Sequence, residues 1–209
     1  YNTPRMIQGF EEDEKHLMLP RGLKSKIEEF FTQNAVKFSI EDKRHHESIL
    51  TKEVKFSLRP EQDDAIKGIC KTDFSICVAP PGFGKTLLGA KMFEIRACTT
   101  LIVVNKNMLL NQWIERFVDY FAYDKKDIGY LGKGKNKLNG QIDVATMQSL
   151  KNQPEIIDNY SFVIVDECHH IPAVTFEQII KNFKGRYLLG LSATPNRKDG
   201  LQPILYQQL

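Results

Sequence analysis

Phe74-Ser75-Ile76-Cys77-Val78-Ala79 runs without a break into Pro80-Pro81-Gly82-Phe83-Gly84-Lys85-Thr86. A short apolar run followed by a glycine-rich turn and a lysine reads as a buried strand feeding a phosphate-binding loop, then a helix. The chemistry asks for backbone N–H groups that converge on phosphate oxygens at a helix N-terminus. Gly82 and Gly84 let the backbone curl and approach closely, with Pro81 and Phe83 completing the cradle. Lys85 places a cation near the β/γ-phosphates, and Thr86 offers its hydroxyl to Mg2+. Ala79 stands where the strict pattern has glycine, a position that closes the turn without touching phosphate. A chance glycine turn beside an incidental lysine accounts poorly for the strand before it and the helix after it.

Outward from this loop, short apolar runs recur at 101–104, 142–145, 162–165 and 187–191. Helical patterns at 87–97, 108–121 and 174–182 separate them. Continuous apolar strands alternating with helices predict an α/β domain with a mostly parallel sheet covered by helices on both faces. In such sheets ligands sit at the carboxyl ends of the strands. The run at 162–165 ends in Asp166-Glu167-Cys168-His169, about 80 residues after the phosphate loop. Its tip belongs beside that loop, so Asp166 can hold hydrated Mg2+ and Glu167 can polarise an attacking water. A small-molecule kinase needs no such glutamate, because its nucleophile comes from a second substrate. A hydrolase does.

The 209 residues suffice for one α/β domain plus a smaller appendage, and 42% hydrophobic with 26% charged is ordinary globular composition. A formal charge of +3 does not by itself announce nucleic acid, so any basic surface is local. There is no apolar run near the ~20 residues a membrane span needs and no charged-then-apolar signal pattern, so no membrane partner is expected. The cysteine usage is that expected of a cytoplasmic protein. Cys70, Cys77, Cys98 and Cys168 form no CxxC pair and read as reduced thiols. Cys168-His169-His170 cannot all face one ion, so zinc is rejected.

Residues 1–52 differ in pattern and predict a small α+β module ahead of the main domain at 53–209. Leu23, Ile27, Phe30 and Phe31 make an apolar stripe at helical spacing, while 36–40 and 54–58 alternate like half-buried strands. Trp113 and Phe117, four residues apart on a helix, read as core anchors. The basic stretch 132–137 reads equally as a solvated hairpin turn or a phosphate contact. The chain begins at Tyr1, so the true N-terminus is expected to lie upstream.

Together these motifs resemble superfamily 2 helicases: Asp166–His169 resembles their DECH box, 79–86 their motif I, and Ser192-Ala193-Thr194-Pro195 their motif III. Leu58-Arg59-Pro60-Glu61-Gln62 is similar to an adenine-recognition motif, 100–113 to motif Ia, and 145–150 to a later strand-contact motif. The nearest resemblance is to xeroderma pigmentosum group B-type DNA repair helicases and to helicase subunits of restriction and mobile-element defence systems. It implies a RecA-like first motor domain that uses ATP and Mg2+ and acts on double-stranded DNA with a second RecA-like domain. That second domain is expected beyond Leu209, because Arg197 follows motif III too closely to supply the arginine of an opposing domain. The resemblance further implies that Gln62 reads the adenine edge and Arg59 stacks on the base. Ser192 and Thr194 would bond toward His169 and report nucleotide state. Asn105, Lys106, Asn107, Thr146 and Gln148 would make sequence-neutral phosphate contacts. An RNA helicase shares every motif quoted, though its usual Asp-Glu-Ala-Asp box is not here. A non-motor nucleotide switch is a rival of another class, and a pure DNA-recognition module is disfavoured by the intact phosphate loop and Glu167.

Overall fold

The computed structural model describes residues 11–19, 21–170 and 173–194. In chain order it forms β1 (Glu11–Glu12), β2 (Leu17–Met18), α1 (Lys24–Gln33), α2 (Pro60–Cys70), β3 (Phe74–Val78), α3 (Lys85–Arg96), β4 (Thr100–Val104) and α4 (Asn107–Tyr120). There follow β5 (Gly129–Gly132), β6 (Lys135–Lys137), β7 (Ile142–Thr146), α5 (Met147–Lys151), β8 (Phe162–Val165), α6 (Ala173–Ile180) and β9 (Tyr187–Ser192). Every apolar run singled out in the sequence becomes a strand: β4, β7, β8 and β9 are buried throughout, as runs covered on both faces must be. β3, expected to be buried, instead lies at the edge of the sheet with Phe74 and Ile76 half-buried and Val78 exposed.

Seven strands lie in the order β3-β9-β8-β4-β7-β5-β6, all neighbours parallel except the β5–β6 hairpin. Strand alternation sorts the core into two layers. Ile102, Val104, Val144, Ile164 and Leu189 pack under α2, α3 and α4 with Leu88, Phe93, Trp113 and Phe117. Leu101, Val103, Val163, Val165 and Leu188 face α5 and α6, with Leu150, Ile179 and Ile180. Each such side chain taken fully out of water contributes about 1.5–3 kcal/mol, so this double burial holds the sheet rigid. Trp113 and Phe117 are core anchors, 1% and 0% exposed.

The N-terminal expectations meet a mixed result. Helix α1 forms, with Ile27 and Phe31 half-buried and Phe30 exposed. The expected strand at 36–40 does not: Val36, Phe38 and Ile40 are 45%, 42% and 51% exposed. Alternation specifies a strand only where a partner offers its ladder, and among the described residues none lies alongside. At 54–58 the alternation predicts faces correctly, since Val54, Phe56 and Leu58 pack on the core, but the pairing among the described residues is a single bridge from Val54 to Phe121. Further single bridges join His45 to Gly185 and Ser48 to Cys98. Residues 45–58 thus lie as an extended strap against the main domain.

The basic stretch at 132–137 takes its hairpin form. Lys133 and Gly134, with φ of 55° and 70°, turn β5 into β6. Positive φ at both central residues matches the right-handed twist of the strands. Among the described residues no helix is long and apolar enough to cross a membrane. Pro195 and Arg197 lie outside the described residues.

Candidate nucleotide site and nucleic-acid face

Strand order builds the site. β9 lies between β3 and β8, so the loop after β3 and the acidic tip of β8 flank the end of β9. Ala79 N–H donates to Ser192 O at 3.0 Å, and Asp166 N–H donates to Val103 O at 2.9 Å. These bonds extend the sheet ladder one rung into each motif and fix where its side chains begin.

In the loop, Gly82 and Gly84 have φ of 82° and 93°, the left-handed region open to glycine. A Cβ on Gly84 would come within 2.7 Å of Gln62 Nε2, so the loop lies directly against that amide, while φ is what demands glycine there. Phe83 N–H closes a turn onto Pro80 O at 3.2 Å, Lys85 opens α3, and Thr86 follows half-buried. Lys85 Nζ donates to Ala79 O at 3.1 Å and stands 3.8 Å from Glu167 Oε1.

Glu167 is a non-glycine residue with φ of 48°, in the sparsely populated left-handed region. That kink turns the chain into the short 3-10 helix Cys168–His170, with His170 N–H bonded to Glu167 O at 2.9 Å. His169 Nδ1 lies 3.3 Å from Glu167 Oε2 but makes its hydrogen bond with Ser192 Oγ at 3.0 Å. Ser192 Oγ also donates to Thr194 O at 2.5 Å and accepts from Thr194 N at 3.2 Å. With the hydroxyl proton committed to that carbonyl, His169 Nδ1 is the donor to Ser192. Glu167 Oε2 is left buried without a hydrogen-bond partner. A carboxylate oxygen so placed costs free energy unless a ligand, water or proton satisfies it.

Asp166 is 6% exposed. Burial pushes its carboxyl up from the ordinary value, the hydrogen bond from Trp113 opposes this, and the charge of Glu167 adds to the rise. The Trp113 bond, Nε1 to Asp166 Oδ2 at 2.8 Å, was not foreseen in the sequence. The sole signal was chemical: a buried indole N–H needs an acceptor.

Gln62 and Arg59 occupy the other side of the loop. Gln62, 3% exposed, accepts from Arg59 N at 3.0 Å and donates to Phe83 O at 2.6 Å. Arg59 Nη2 donates to the same carbonyl at 3.0 Å. Both therefore brace the phosphate loop, a role the sequence did not disclose.

The residues expected to meet nucleic acid cluster at the carboxyl ends of β4 and β7. Lys106, Asn107 and Gln148 are exposed, and Asn105 is half-buried with its Oδ1 lacking a partner. A Cβ on Gly132 would meet Asn107 Oδ1 at 3.1 Å and Thr146 Cγ2 at 3.2 Å, which places the two segments side by side. Thr146 itself is buried, and its hydroxyl caps α5 by accepting from Ser149 N at 3.3 Å.

A phosphate loop and an acidic strand tip brought together at the carboxyl edge of a parallel sheet define a P-loop nucleotide-binding domain. Residues 55–197 match the model of the type III restriction enzyme, res subunit, and the chain belongs to that family. It is 39% identical over 155 residues to the DNA 3'-5' translocase XPB2 of Sulfurisphaera tokodaii, covering 72% of this chain and 34% of that protein. It is 32% identical over 168 residues to the probable helicase D10 of Escherichia phage T5, covering 80% and 36%. The chain spans about a third of the length of these relatives. Among solved structures, the UvsW helicase of bacteriophage T4 shares the fold with a TM-score of 0.70 at 22% identity, covering 94% of this chain and 78% of that one. The Sulfolobus solfataricus SWI2/SNF2 ATPase core does so with a TM-score of 0.62 at 20% identity, covering 76% and 37%.

Proposed function

We propose that this chain is the ATP-binding first motor domain of a DNA-dependent ATPase that translocates along or unwinds double-stranded DNA with a second RecA-like domain. The observation that carries the reading is the 3.8 Å approach of Lys85 to Glu167, two motifs far apart in sequence that serve one reaction. Backbone N–H groups of 82–86 and the Lys85 ammonium bind the phosphates, and the side chain of Lys85 is only 10% exposed, where its charge acts in a low dielectric. Thr86 and Asp166 are the residues to hold Mg2+, and the buried Asp166 carboxylate with one oxygen bonded by Trp113 fits that task. When bound, the ion neutralises charge on the phosphate oxygens. Glu167 orients the attacking water and takes its proton at the buried Oε2. His169, Ser192 and Thr194 connect that carboxylate to the end of β9.

Arg59 and Gln62 face the base side of the loop. Asn105, Lys106, Asn107 and Gln148 supply phosphate contacts at the adjoining edge, with Thr146 shaping the backbone there. The names of the Sulfurisphaera and phage relatives, a DNA translocase and a helicase, support a motor over a nucleotide switch and DNA over RNA. Four free cysteines suit a reducing, cytoplasmic setting. The test is nucleotide affinity by calorimetry. Lys85→Ala removes a charge-assisted contact worth about 1.5–3 kcal/mol, so Mg·ATP binding should weaken roughly 10- to 150-fold. An unchanged dissociation constant refutes the assignment.

A further inference from the structure

The indole of Trp113 touches two motifs at once. Its Nε1 donates to Asp166 Oδ2 at 2.8 Å, and its ring is 1% exposed. A Cβ added to Gly89, one turn into the helix that opens with Lys85, would lie 2.8 Å from Trp113 Cη2. The ring is therefore wedged between the phosphate-loop helix α3 and the acidic tip of β8. Its own helix, α4, begins at Asn107, on the edge assigned to nucleic acid. Packing alone explains a large apolar ring here. It does not explain why the polar end meets the one buried carboxylate of the acidic tip.

We infer that Trp113 is a positioning residue for metal binding: its N–H holds one oxygen of the Asp166 carboxylate and so fixes the group that would take Mg2+. The inference rests on the function proposed above. Groups that orient a ligating carboxylate matter nearly as much as the ligand, because a freely rotating carboxylate must be ordered each time metal binds. Gly89 belongs to the same device, since only a residue without a side chain lets the indole reach Asp166.

The experiment measures binding of a fluorescent ATP analogue to the chain with and without Mg2+, in wild type, Trp113→Phe, Gly89→Ala and Asp166→Asn. Phenylalanine keeps an apolar ring and removes the donor. Alanine at 89 suits a helix but pushes the indole away. The expected result is that metal-free affinity holds in Trp113→Phe and Gly89→Ala. The gain in affinity on adding Mg2+ should vanish in Asp166→Asn and fall roughly 10- to 100-fold in Trp113→Phe, with a smaller fall in Gly89→Ala. An unchanged gain in Trp113→Phe beside a lost gain in Asp166→Asn overturns the role of Trp113 and leaves the proposed function standing. Equal loss with and without metal, together with a lowered melting temperature, shows that Trp113 is structural only and overturns it too. An unchanged gain in Asp166→Asn refutes the proposed function and this inference with it. Should Trp113→Phe fail to fold, Gly89→Ala and the wild-type emission decide. Trp113 is the chain's one tryptophan, so adding Mg2+ to the nucleotide-bound chain should shift its fluorescence, and a silent titration overturns the inference.

Discussion

Gln62→Leu separates two jobs that one side chain can hold. The amide gives 2.6 Å and 3.0 Å hydrogen bonds to Phe83 O and from Arg59 N, and at 3% exposure no water replaces them. Leucine has comparable length and no polar atom, so both bonds are lost while the packing is kept. At about 0.5–1.5 kcal/mol each, the loop loses about 1–3 kcal/mol of bracing. Phe83 O keeps its bond from Arg59 Nη2, which places the expected cost in the lower half of that range. If binding must first restore the loop, affinity falls by the same energy, roughly 5- to 30-fold. The brace acts on phosphate, so ATP and GTP should weaken alike. Adenine reading adds a further loss for ATP alone, from the second N–H and lone pair of the amide. Calorimetric titration of wild type and variant with both nucleotides measures each part. Unchanged GTP affinity beside weakened ATP refutes the bracing argument and leaves base reading as the residue's whole contribution.

Glu167→Gln should keep Mg·ATP binding and abolish DNA-stimulated turnover in the full-length protein, because the amide holds the shape of the carboxylate but cannot take a proton. Steady-state ATPase near the wild-type rate would remove Glu167 from the mechanism. Tyr160→Phe should destabilise the fold by about 1.5–3 kcal/mol at neutral pH, since Tyr160 donates to buried Asp143 at 2.6 Å. Burial raises the Asp143 carboxyl above its ordinary value against the pull of that bond, so ionising Asp143 costs stability as pH rises through the folded value. Losing the phenol raises it further. The deficit of the variant is therefore full above the folded value and shrinks as acid protonates Asp143. Urea melts of both proteins at neutral and mildly acidic pH test this; a deficit that grows in acid would contradict it.

The central strands and the two ligand-bearing loops were legible because each is written locally. An apolar run such as Phe162–Val165 buries on both faces wherever it sits, and a glycine pair before lysine carries its own backbone requirement. What escaped depends on partners distant in sequence. The stretch 36–40 has the alternation of a strand but, among the described residues, no neighbouring ladder, which alternation does not report. Trp113 announces a core position by its spacing, yet its bond to Asp166 spans 53 residues and arises only from the sheet order. Gln62, which the resemblance assigns to the adenine edge, also bonds Arg59 N and Phe83 O in the structure, because the amide of a buried glutamine must find partners among the nearest backbone groups.

The strap at 45–58 bears on how such a domain could be passed between proteins. Its backbone is pinned by Ile49 N to Ala97 O at 2.9 Å, Thr99 N to Glu47 O at 3.0 Å and Lys55 N to Tyr120 O at 2.8 Å. Ile49 and Val54 pack on the core ahead of residue 55, where the family match begins. A recombination joint at that point would strip Cys98 of its bridge to Ser48, take Val54 from Phe121, and leave the Thr99 N–H, just ahead of β4, without its acceptor. Joints that preserve a folded motor lie upstream of His45. Exchange of modules during evolution would therefore carry the strap as part of the inheritance of the motor.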